Sequence, residues 1–284
     1  MRFVVDLFWS SDKEDSYARR EEAIASMKMF SKLSLCWVVL FLNAASIWGQ
    51  SGAIEPPPIL KITKMMVKIG KLPEVQKLES ERIGAMKKFN YPRSYISSVS
   101  LTGPQQVWIF SRYKNLQDMA DDIAFVNRTP ALRAEMEKLD DMEGSLLNSK
   151  RDITASYQPN ISYRPNFDWA DAHYWEIIWV HLINGHHDEY IENRIMTKEE
   201  HEKGAFDTHQ MMYAVQSGEP SGTFMVIRPM KTMGLLDALN AAGHSAEPTT
   251  AEEQQKKKQL SVASVVSVED AYFRVESNMT YVPQ

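Results

Sequence analysis

The chain has 284 residues, 44% of them hydrophobic and 24% charged, with a formal net charge of −5. That balance lacks the basic stripe by which nucleic-acid binders neutralise phosphates, and the short run Lys256-Lys257-Lys258, beside Glu252 and Glu253, reads as a solvated helix face. The one cysteine, Cys36, sits inside an apolar leader run, so a processed chain carries no disulfide, thiolate metal site or cysteine nucleophile.

Lys28 and Lys32 precede that run, residues 33–45 (LSLCWVVLFLNAA), and small residues follow it. A basic flank, a short apolar stretch and a cleavage point at Ser51-Gly52-Ala53 or Ala44-Ala45-Ser46 are the layout of a secretory signal. The run is short of the about 20 apolar residues that a membrane span needs. The charged stretch before it is foreign to a signal, which makes Met27 or Met29 the better start. The expected product is exported, periplasmic or extracellular, with no membrane contact after cleavage. Residues 1–53 are thus an extension and signal.

Pro56-Pro57-Pro58 reads as a stiff extended spacer. Ile59 to Ile69 follows as a strand, and Leu72 to Phe89 has helical apolar spacing at Leu72, Val75, Leu78, Ile83 and Met86. Tyr95 to Leu101 and Gln106 to Tyr113 are strands around a Thr102-Gly103-Pro104 turn. Leu116 to Val126 is a helix. Thr129 is expected to cap the next one, with Pro130 at its first position. Ile161 to Arg164 is a short closing strand. The second half repeats the order: strand Tyr174 to Ile183, helix His186 to Gly204, strands Met211 to Val215 and Thr223 to Arg228, and helix Met230 to Ala242. A charged helix capped near Thr249 or Thr250 follows, then a closing strand, Met279 to Val282.

The halves also share words. Asn160-Ile161-Ser162-Tyr163-Arg164-Pro165 ends the first, and Asn278-Met279-Thr280-Tyr281-Val282-Pro283 ends the second. Trp108 to Arg112 falls on Phe224 to Arg228, and Glu81-Arg82-Ile83 on Asn193-Arg194-Ile195, at offsets of roughly 115 residues. Each half is β-α-β-β-α-β with an extra helix, the ferredoxin-like order. Two such units, 54–166 and 167–284, resemble the dimeric α+β barrel superfamily, here within one chain. The resemblance implies an α+β fold in which two sheets enclose a cavity, with helices outside. That superfamily includes haem-degrading and quinol-type monooxygenases, chlorite-dismutase-like haem proteins and ligand-binding proteins, so it implies no single reaction.

One face of the strand after His173 holds Trp175, Trp179 and His181, and the other is largely aliphatic. The first face is expected to line an aromatic pocket together with Lys64, Trp108, Arg112 and Arg228. The strand-end arginines suit a carboxylate or other anion. The alternative is an aromatic core with its histidines at the rim. No H-x-x-x-H, H-E-x-x-H, P-loop or G-x-S-x-G occurs, so no metal site and no cofactor is expected from motifs. The resemblance leaves haem open, with His181 as the weak candidate for axial ligand or catalytic base. The functional expectation is a binding protein for a small apolar or anionic ligand. A monooxygenase-like or haem-dependent enzyme and a structural protein with a filled core are the alternatives. Oligomeric state is not legible.

Overall fold

The structure, a computed structural model, describes residues 55–204, 206–243 and 250–283. The leader and start-site readings lie outside them. Strands β1 (Ile59–Val67), β2 (Tyr95–Ser100), β3 (Gln106–Tyr113) and β4 (Leu147–Tyr157) form the first half. Strands β5 (Tyr174–Leu182), β6 (Met211–Ser217), β7 (Thr223–Met230) and β8 (Val265–Val275) form the second. They close into an antiparallel barrel in the order β1-β3-β2-β8-β5-β7-β6-β4. Helices α1 (Leu72–Lys88), α2 (Leu116–Asn127) and α3 (Pro130–Gly144) belong to the first half, and α4 (His187–Lys203), α5 (Gly234–Gly243) and α6 (Ala251–Ser264) to the second. This is the α+β barrel anticipated. No helix among the described residues is long and apolar enough to cross a membrane.

Alternation along each strand explains the layering. Leu60 and Ile62 of β1, Trp108 and Phe110 of β3, and Trp175, Ile177 and Trp179 of β5 point into the barrel. They meet Tyr213, Met225, Ile227 and Phe273 there. The opposite faces carry Met65 and Val67, packed with Val75 of α1, and Val180 and Phe224, packed with Tyr190 of α4. Asn115 caps α2 by accepting from the Asp118 amide at 2.8 Å, and Thr250 with Glu253 forms a capping box on α6. Thr129 does not cap α3 with its side chain. Its hydroxyl donates instead to the Phe125 carbonyl of the preceding helix, at 3.0 Å.

The closing strands are not where the sequence words suggest. They are β4 and β8, and the repeated words form short 3-10 turns, Pro159–Ile161 and Ser277–Met279, each followed by an isolated β-bridge. Residues 148–152 of β4 and 266–270 of β8 are exposed, because those stretches pair with β1 and β5 on one side only. With both faces wet, no alternation announces a strand.

The repeated words nevertheless do the same work twice. Ser162 Oγ donates to the Gln158 carbonyl (2.7 Å) and accepts from the Met212 amide (3.0 Å). Thr280 Oγ1 donates to the Glu276 carbonyl (2.9 Å) and accepts from the Ser97 amide (3.2 Å). Tyr163 and Tyr281 are buried, and each donates its hydroxyl to backbone carbonyls: His201 and Phe206 for the first, Tyr91 for the second. The Ser162 and Thr280 hydroxyls thus stand in for a ladder acceptor where the chain leaves the sheet.

Two close approaches shape the barrel ends. Gly218, at φ +91°, presses the β6–β7 turn onto β4, where a Cβ would lie 2.2 Å from the Asp152 carbonyl oxygen. The proline run is a plug rather than a spacer. Pro56 and Pro57 are buried, Tyr213 Oη donates to the Pro57 carbonyl (3.3 Å), and the Tyr157 amide donates to that of Pro58 (3.0 Å).

Candidate functional site

The barrel is filled, which corrects the expectation of an aromatic cavity. A ring column runs along it: Trp179 to Trp108 at 5.6 Å between centroids, then Phe110 at 6.1 Å, Trp175 at 4.5 Å and Trp169 at 5.5 Å. Such tilted contacts are the favourable geometry for quadrupolar rings. The expected pocket residues are therefore distributed rather than convergent. Trp108 and Trp179 close one end, and Lys64 Nζ lies over both, 5.0 and 5.8 Å from their centroids. Burial holds the Lys64 ammonium below its usual value, with Glu219 and Glu269 opposing. Trp175 and Arg112 lie at the other end, toward the proline plug.

His181 sits at the Trp179 end, half-buried, with Nδ1 3.0 Å from Thr223 Oγ1. The Thr223 hydroxyl already donates to the Pro220 carbonyl at 2.7 Å. Its oxygen therefore accepts from Nδ1–H, and Nε2 is the unprotonated nitrogen in the neutral ring. Arg228 is not part of the barrel lining. It projects from the outer face and pairs with Glu176, its cross-strand neighbour.

The open end carries the more unusual chemistry. A cleft of about 600 Å³ lies between the proline plug and the ends of β3 and β4. It is lined by Pro56, Arg93, Arg112, Lys114 and Tyr157, among others. Arg93 is neutralised by a paired contact with Asp118, an acid held below the usual carboxylate range chiefly by that hydrogen bond. Arg112 has no such partner and makes no ion pair with any described residue. Its guanidinium stacks 5.6 Å from the Trp169 centroid, and burial lowers its pKa from the ordinary value. Behind it, a void of about 10 Å³ has an apolar lining that includes Leu60, Phe110 and the rings of Trp169 and Trp175. The indole N–H groups of both tryptophans are buried without an acceptor. The mouth thus holds one half-buried cation without an ion-pair partner beside an apolar wall, an arrangement that costs free energy until an anion arrives. Sequence reasoning picks out Arg112 and Trp175. It misses Tyr157, the last residue of a strand that no alternation announces, and Trp169 and the prolines, which lie in short irregular segments with no periodicity to orient them.

No group of three or more His, Cys, Asp or Glu among the described residues could hold a metal ion. Haem does not fit beside His181 inside the barrel, because Trp108, Trp179 and Phe273 occupy that volume.

No protein-family model matches the sequence, and no curated protein is significantly similar. Among solved structures, the chain is similar to a protein of Fusobacterium nucleatum provisionally assigned as a monooxygenase. The identity is 10% over 78% of this chain and 94% of that one, with a TM-score of 0.52. An anthrone oxidase-like protein (10% identity, 79% and 93% covered, TM-score 0.49) is also similar. So is a mutant chlorite dismutase of Candidatus Nitrospira defluvii (9% identity, 81% and 96% covered, TM-score 0.46). At these identities the likeness is one of fold: the dimeric α+β barrel, built here from a single chain.

Proposed function

We propose that the protein is an exported binding protein that takes a small organic carboxylate, preferably aromatic, at the proline-plugged mouth of its barrel. The observation that carries this reading is Arg112, a half-buried cation with no ion-pair partner among the described residues, in the wall of an open cleft. A carboxylate can accept two hydrogen bonds from one guanidinium, and charge-assisted bonds of this kind are the strong ones. Tyr157, the prolines and the Trp169 ring offer an apolar wall to the rest of the ligand. The leader run 33–45 supports export, and the matching Ser162 and Thr280 bonds support reading the halves as repeats.

The test is titration of the full chain with benzoate and a panel of aliphatic carboxylates, followed by calorimetry and tryptophan fluorescence. Benzoate is expected to bind saturably and to change the Trp emission. Arg112→Met, which keeps the stem and removes the charge, is expected to weaken it at least about tenfold, the loss typical of one charge-assisted contact. Binding indifferent to Arg112→Met, or no binding by any carboxylate, would remove the reading.

A monooxygenase-like role at His181 is the second reading. It is favoured by the free Nε2 at the barrel rim and by the fold shared with the Fusobacterium protein. It requires room for a substrate beside Trp179, and the filled barrel argues against that room.

A further inference from the structure

The mouth carries a second cation that a ligand with a single carboxylate leaves unused. Trp108 and Phe110 of β3 face the barrel interior, and the same alternation carries Arg112 and then Lys114 to the cleft. Tyr113 between them is still paired with Ile59 and extended, so the Cα atoms of Arg112 and Lys114 stand about 7 Å apart, two residues of strand rise. The Lys114 backbone is held in place. Its amide donates to Asp118 Oδ2 at 3.0 Å, and Asn115 beside it caps α2 through the Asp118 amide.

Charge is unevenly placed around the cleft. The Asp118 carboxylate serves Arg93 and the Lys114 amide, so Arg93 and Asp118 cancel. Lys114 is exposed and, like Arg112, makes no ion pair with any described residue. The remaining acid, Glu55, lies toward the other wall, where it acts electrostatically on Tyr157 at the end of β4. β1 runs between the two walls, with Ile59 paired to Tyr113 on one side and to Ser156 on the other. The walls are therefore two strand spacings, about 10 Å, apart. One is cationic at two points, and the other is aromatic and acidic.

We propose that the ligand of the mouth is an aromatic dicarboxylate with both acid groups on the β3 wall, one on Arg112 and the other on Lys114. This rests on the carboxylate reading of the mouth and narrows it. The cleft, about 600 Å³, has room for a ring with two such groups. Arg112, half-buried against Trp169, anchors the first, and Lys114 selects for the second. Glu55 repels an acid group directed at its own wall, so groups meta to each other suit the cleft better than groups at opposite ends of the ring. Because the Lys114 ammonium is exposed, its contact adds only about two- to fivefold in affinity, the range of an exposed ion pair.

The experiment is calorimetry of the full chain at low ionic strength with isophthalate and with its monoamide, which has nearly the same shape and one charge fewer. Isophthalate is expected to bind about two- to fivefold more tightly, and the preference is expected to fade as potassium chloride screens the exposed charge. Lys114→Met is expected to bring the two ligands to equal affinity, and Lys114→Arg to keep the preference. Equal affinities for the unaltered chain, with benzoate binding still lost in Arg112→Met, would overturn the proposal and leave the carboxylate reading standing. A preference that survives Lys114→Met would overturn it as well, by assigning the second acid group to another cation. No binding by any carboxylate would remove the reading and the proposal together.

Discussion

Trp179→Ala is expected to lower the unfolding free energy by about 3–5 kcal/mol, the range for deleting a fully packed aromatic. Trp179 is 4% exposed and sits between Met225 and Glu269 in the barrel wall. Its ring meets Trp108, with the Lys64 ammonium above both. Removing the indole leaves a cavity that a closed barrel cannot collapse, because the strands on either side are fixed by their ladders. It also strips a cation–π partner from Lys64. Trp179→Phe should cost much less, since it retains most of the packing. Urea unfolding of the three proteins measures this. A loss below about 1 kcal/mol would mean that the ring lines open space, and the filled-barrel description would fall with it.

Arg82→Met should be comparably severe for an electrostatic reason. Glu79 is fully buried and Glu143 is 2% exposed. Burial already pushes the Glu79 carboxyl above its ordinary pKa, against the pull of Arg82. Without the guanidinium, Glu79 has no ion-pair partner among the described residues and feels only the more distant Lys150, whose ammonium stays with Glu143 at 2.6 Å. Breaking one side of such a buried network typically costs about 3–5 kcal/mol. The pH dependence gives the sign. The variant's Glu79 pKa rises further, so folding favours its protonated form, and the deficit is largest well above that pKa. It shrinks as pH falls and Glu79 takes up a proton. The double variant Arg82→Met with Glu79→Gln should recover much of the loss at neutral pH. A deficit independent of pH and unrelieved by Glu79→Gln would point to packing instead of charge.

Strand alternation makes most of the barrel legible. The inward set on β5, Trp175 and Trp179, and on β3, Trp108 and Phe110, follows directly from period two. β7 defeats the same argument. Seven of the eight residues of Thr223–Met230 are buried, on both faces, so nothing in TFMVIRPM says which face is inward. Only the register Glu176↔Arg228 with β5 decides it, and that places Arg228 outside. β4 and β8 fail for the opposite reason: their overhanging portions are exposed on both faces. The proline run reads as a spacer because polyproline carries no information about what it packs on. Its role as a plug depends on Tyr213, more than a hundred residues away along the chain. For the candidate site, strand ends are visible in the sequence, whereas Trp169 stands in a short 3-10 turn whose placement is purely tertiary.

The central claim is that the barrel is closed by its own side chains and that recognition happens at its mouth. A crystal structure of the full chain soaked in 4-bromobenzoate tests both parts at once, because bromine marks the ligand by anomalous scattering. The account predicts a peak in the cleft by Tyr157 and Pro56, with the carboxylate on Arg112 and the ring column from Trp179 to Trp169 undisturbed. A peak inside the barrel beside His181 and Trp179, with those rings displaced, would contradict it and put the enzyme reading ahead of the binding one.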